Sequence, residues 1–129
     1  MNDELYRDYI LEHYKEPRHF GELEQHDLQA HDVNPLCGDE LGVHVQVDED
    51  GTITDLAFHG KGCAISQASA SIASEELIGM KIEDVAKLDA DWMVDLLGID
   101  ISPTRRKCAL LNLKVLRGAI TGDASWPEE

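Results

Sequence analysis

The chain has 129 residues, 43% of them apolar, and its 26 Asp and Glu against 11 Lys and Arg give a formal charge of −15. That size and apolar content suit a single domain over residues 1–129 with a frayed tail from 123, while the charge repels polyanions and argues against nucleic acid or membrane as a partner. No run approaches the roughly 18 apolar residues of a spanning helix, and the acidic start Met1-Asn2-Asp3-Glu4 is unlike a secretory signal, so a soluble, cytoplasmic protein is expected.

In chain order, Leu5, Tyr6, Tyr9, Ile10 and His13 recur at spacings of three and four and predict a helix over 3–14 with its stripe on the core, stopped by Pro17. Residues 16–32 are polar and aperiodic and read as an extended connection across the surface. A short strand is expected around 36–41. Val43, Val45 and Val47 alternate with polar residues, Glu49-Asp50-Gly51 makes a turn, and Ile53, Leu56 and Phe58 follow, which predicts a β-hairpin. Gly60-Lys61-Gly62 ends its second strand. From Ala64 a helix rich in Ala and Ser runs to about Gly79, its small residues suited to close approach by another element. Two short helices are expected over 82–88 and 91–97. Ser102-Pro103 then opens a C-terminal helix with Leu110, Leu113, Leu116 and Ile120 on one stripe. Strands first and helices after predict an α+β domain: a small antiparallel sheet of about three strands with helices on one face.

Three cysteines cannot all pair within one chain, and a reducing compartment keeps thiols free. Inert core thiols, one reactive thiol or a metal site remain, and the neighbours of each cysteine bear on the choice. In Asn34-Pro35-Leu36-Cys37-Gly38-Asp39, a thiol and a carboxyl two residues apart project to one side of an extended segment and can close on one cation, although Asp after Gly is also ordinary turn chemistry. Cys63 follows Gly60-Lys61-Gly62 at a helix start, where unsatisfied N–H groups and the helix dipole favour a thiolate. Arg105-Arg106-Lys107 immediately precede Cys108 and can offset the negative charge of a thiolate site, or form an unrelated surface patch. Twenty-five residues separate Cys37 from Cys63 and 44 separate Cys63 from Cys108, so no pair has close zinc-finger spacing. The three contexts together favour one composite site for zinc or iron. His59 is the histidine nearest Cys63 in sequence, but a strand histidine is more often a satisfied residue, and the six histidines are left outside the ligand set. Trp92 and Trp126 read as packing and tail residues.

Four ordered segments, His13-Tyr14-Lys15-Glu16-Pro17-Arg18, Asn34 to Asp39, Gly60 to Ser71 and Arg105 to Leu111, resemble the IscU/SufU/NifU N-terminal family of iron–sulfur cluster assembly scaffolds over roughly residues 5–118. The resemblance implies that Cys37, Asp39, Cys63 and Cys108 are the metal or cluster ligands and that a cysteine desulfurase delivers sulfur as a persulfide. Lys107, where the IscU-like branch carries His, resembles the SufU branch, whose members bind zinc and accept persulfide. The 44 residues between Cys63 and Cys108 are too few for the insertion that SufU proteins usually carry. The leading expectation is a zinc-dependent sulfurtransferase with Cys37 as acceptor, acting with the desulfurase. The alternatives are a scaffold that builds a [2Fe–2S] cluster, or takes up iron, for client or carrier proteins, and a structural zinc domain that docks through its acidic surface.

Overall fold

Alternating valines build the middle of the sheet. The computed structural model describes residues 3–34, 38–123 and 125–127, with residues 3–6 and Thr104 described by backbone alone. Its elements are α1 (Asp3–Lys15), β1 (Leu28–Asn34), β2 (Asp39–Val47), β3 (Ile53–Lys61), α2 (Ala64–Leu77), α3 (Ile82–Val85), α4 (Ala90–Leu97) and α5 (Pro103–Thr121). The strands form one antiparallel sheet in the order β1-β2-β3. Val43 lies opposite Phe58 and Val45 opposite Leu56, all four buried on the helix-covered face. One residue out of step, Gly42, His44 and Gln46 face the other way with Asp55, Ala57 and His59. The Asp48 carboxylate accepts the N–H of Asp50 and of Thr52, both at 2.9 Å, and closes the hairpin turn at Gly51, whose φ is 81°. The expected α+β architecture is the one observed.

The third strand is not where the sequence suggested. The end of the strand expected around 36–41 opens β2 at Asp39, and the third strand is β1 at Leu28–Asn34, most of it within the stretch read as a connection, while Pro35, Leu36 and Cys37 lie outside the described residues. The positions of β1 that face inward are Leu28, Ala30, Asp32 and Asn34, so its apolar alternation is broken from the third onward. Lys114 of α5 compensates by bonding the Asp32 carboxylate. Burial pushes the Asp32 carboxyl up, but the Lys114 hydrogen bond, the Val33 N–H and the Lys114 charge outweigh it and hold the group below its ordinary value. The folded value is therefore below the unfolded one, about 3.9. The pair contributes fully above that pH, and its contribution fades as pH falls through the depressed folded value. Lys114→Met is accordingly expected to cost about 2 kcal/mol at pH 7, by leaving Asp32 ionised without its partner. Urea unfolding should show a smaller difference between wild type and variant near pH 3.

α2 lies in the interior, against α1, α5 and β3, with Ser66, Ala68, Ser69, Ala70, Ser71, Ile72, Ala73 and Ser74 all buried. Its small side chains permit the close approach of α1, whose His13 Nδ1 lies 2.7 Å from Ser71 Oγ; the same hydroxyl accepts the Arg18 N–H at 2.7 Å. Among the described side chains the buried stripe of α1 is narrower than expected, the side chains of Leu5 and Tyr6 lying outside them. Ile10 and His13 are buried, but Tyr9 is 37% exposed at the margin, its ring edge-on to His13. The helix expected over 82–88 is also shorter, ending at Val85 with turns beyond. α5 buries Leu110, Leu113 and Leu116 as its stripe predicts.

Residues 19–27 cross the outer face of the sheet. The Phe58 N–H donates to His19 O and the Gly21 N–H to Phe58 O, which ties the start of this strap to β3. The Asp27 N–H donates to Val45 O, and the Asp27 carboxylate accepts the Val47 N–H, which ties its end to β2. Between these anchors the Leu23 N–H donates to His44 Nδ1 at 3.1 Å, and His26 stacks on His44. Burial first, then the neighbouring His26 and His59, hold the His44 imidazole below its ordinary value.

Candidate metal centre

Three elements meet at one end of the sheet. Asp39 opens β2 opposite Asn34, the last residue of β1, and the Gly38 N–H donates to Asn34 O with Gly38 at φ 73°. The Asp39 side chain is on the helix-covered face and 1% exposed. Its Oδ1 accepts the Cys63 N–H at 2.8 Å, so the carboxylate occupies the N-terminus of α2. Cys63 is the N-cap residue, and its Sγ lies 3.9 Å from Asp39 Oδ2. Cys108 is buried on α5, where Asn34 Nδ2 donates to its Sγ at 3.9 Å. The ligand atoms of Asp39, Cys63 and Cys108 all lie within 4.8 Å of one another. Cys37, expected as the fourth member, lies outside the described residues.

These residues fit a zinc or iron ion. Two sulfurs and a carboxylate are a donor set both metals accept, and bonds of about 2.0–2.3 Å require the three atoms to draw in by only about 1 Å. A Cβ at Gly62 would stand 2.4 Å from Asp39 Oδ1 and 2.7 Å from Ser66 Oγ, so the glycine lets the backbone close against the carboxylate. Cys63 O accepts from Ser66 Oγ at 3.1 Å, which fixes the turn into α2.

Asn34, to which pattern reasoning gave no role, and Gly62, read only as part of a strand-ending turn, therefore shape the centre. Their presence inside the Asn34–Asp39 and Gly60–Ser71 segments was the available signal. The cations are distributed differently from a simple counter-charge cluster: Lys61 is 79% exposed with Nζ 3.9 Å from Glu40, and Lys107 Nζ lies 5.2 Å over the Trp126 ring, as does Lys114 Nζ. His59 is on the opposite face of the sheet from Asp39.

The model of the NifU-like N-terminal domain matches residues 5–123. The chain belongs to that family. Among its NifU-like relatives, the zinc-dependent sulfurtransferase SufU of Bacillus subtilis (strain 168) is 36% identical over 136 positions, covering 92% of this chain and 90% of that protein. The iron-sulfur cluster assembly scaffold protein IscU 1 of Archaeoglobus fulgidus is 33% identical over 116 residues, covering 90% of this chain and 74% of that one. The longer alignment takes in almost the same share of this chain, so the Bacillus protein carries residues with no counterpart here. A crystal structure of a putative iron-sulfur cluster assembly scaffold protein for the SUF system, from Fervidobacterium islandicum AW-1, superposes with a TM-score of 0.78 at 27% identity, covering 94% of this chain and all of that one. Among the described residues no helix is long and apolar enough to cross a membrane.

Proposed function

We propose that this chain serves iron–sulfur cluster assembly as a zinc-dependent acceptor of persulfide sulfur from a cysteine desulfurase. The reading is carried by the convergence of Asp39, Cys63 and Cys108, with Cys37 two residues before Asp39 in the sequence. Asp39, Cys63 and Cys108 would hold the metal with Cys37 as fourth ligand, and zinc, when bound, supplies the charge that keeps thiols deprotonated. Cys37 is the acceptor in this reading. Its thiolate attacks the terminal sulfur of the desulfurase persulfide; a new S–S bond forms, the old one breaks, and the desulfurase thiolate leaves. The Cys63 N–H and the Asn34 amide orient Asp39 and Cys108, and exposed Lys61 and half-buried Arg106 supply positive charge for an anionic persulfide. With desulfurase and cysteine, mass spectrometry should show one added sulfur on the wild type and none on Cys37→Ala. An unchanged adduct on Cys37→Ala rules out this role.

A second reading has one observation in its favour: the alignment with the Archaeoglobus scaffold spans 116 residues and 90% of this chain, with no room for an insertion. In that reading the same ligands carry a [2Fe–2S] cluster for client or carrier proteins. Anaerobic reconstitution separates the two, because a cluster gives visible absorption and zinc gives none.

A further inference from the structure

We infer that Glu22, His44 and His59 form a second site for a divalent transition-metal ion, on the face of the sheet opposite Asp39, Cys63 and Cys108. One ligand atom from each of these residues lies within 4.8 Å of the others. Two imidazoles and one carboxylate are a donor set that zinc and iron(II) accept, with a coordination position left open for water or a small ligand. The three come from separate elements: His44 from β2, His59 from β3 and Glu22 from the strap across them. Their meeting is a product of the tertiary fold.

The site is built around a glycine. Gly42 lies opposite His59 in the sheet, and a Cβ there would stand 2.4 Å from His59 Nε2. Without it the imidazole lies down against the sheet, edge-on to His44 with centroids 5.2 Å apart and Nε2 3.9 Å from Glu22 Oε1. His59 Nδ1 is buried with no hydrogen-bond partner among the described residues, so no such bond fixes the ring's tautomer against a metal at Nε2. Glu22 is 70% exposed and free to swing by the short distance that closure needs. An ion enters from solvent, and the strongly acidic chain favours its approach.

His44 ties the site to the strap. Its Nδ1 accepts the Leu23 N–H. Ligation through Nδ1 takes that lone pair, and ligation through Nε2 moves the ring proton to Nδ1, where it faces another donor. Either way the Leu23 N–H must release, so metal binding is coupled to a shift of the strap.

The full chain titrated with Co(II) and with Zn(II) tests the site. A Co(II) equivalent whose visible bands lack thiolate charge transfer is expected, together with a Zn(II)-induced shift of the Leu23 amide in a ¹H–¹⁵N spectrum. His59→Gln, which keeps the ring's approximate volume over Gly42, should abolish both. Glu22→Gln, a change on an exposed strap residue, should weaken that equivalent by roughly 10-fold or more. The inference is overturned if no equivalent without thiolate bands binds, or if that equivalent binds with unchanged affinity in both His59→Gln and Glu22→Gln.

Discussion

Cys108→Ser is expected to lower zinc affinity by at least about 100-fold, more than the 10- to 100-fold typical when only an outer partner of a ligand is lost. Cys108 is 1% exposed, and its sulfur sits with Asp39 and Cys63 inside one 4.8 Å cluster. A serine hydroxyl in its place is a shorter, harder and far less acidic ligand, and nothing else on α5 replaces the thiolate. Asn34→Ala should produce the smaller effect, because it removes the amide that donates to Cys108 Sγ but leaves the sulfur. Competition with a chromogenic chelator measures both. Equal zinc retention in Cys108→Ser and wild type would remove Cys108 from the centre, and with it the composite site. The fold itself should survive, since Leu110, Leu111, Leu113 and Leu116 anchor α5 without metal, and circular dichroism of the variant checks this.

Gly60→Ala is expected to destabilise the protein by about 3 kcal/mol, read as a lower urea midpoint at unchanged slope. Two costs coincide there. Gly60 has φ 148°, a conformation closed to residues with a Cβ, and the added atom would stand 2.2 Å from the carbonyl oxygen of Glu40 on the paired strand. Backbone cannot swing aside as a side chain can, so β2 and β3 must separate next to Asp39. Gly79→Ala makes the comparison, since its φ of 99° carries strain but none of the described residues lies within 4 Å of the new Cβ. About 1 kcal/mol is expected there. Equal losses at the two positions would show that conformational strain, and not contact with Glu40, sets the cost. Gly60→Ala should also weaken metal retention, whereas Gly79→Ala, beyond the far end of α2, should leave it unchanged.

Some elements were legible because their signals are local. The valine alternation of β2, the Gly51 turn, the small-residue run of α2 and the Ser102-Pro103 start of α5 each carry their own pattern, and each appears at its expected place within a few residues. The resemblance carried by the cysteine segments supplied the candidate ligands, and Asp39, Cys63 and Cys108 do converge. β1 was misplaced because its inward position 32 is an aspartate, satisfied by Lys114 from 82 residues away. The Asn34 bond to Cys108 spans 74 residues, and no window of sequence contains both. His44 and His59, each unremarkable alone, acquire their relation only through the register that sets His44 beside Ala57 and His59 opposite Gly42. The sequence by itself determined the α+β composition, the central hairpin, the two long C-terminal-half helices and the family resemblance, since periodicity, turn residues and motifs act over neighbouring positions. Tertiary structure alone decided where the third strand pairs, which polar groups orient the cysteines and which histidines share a face, because each depends on contacts whose partners are distant in the chain.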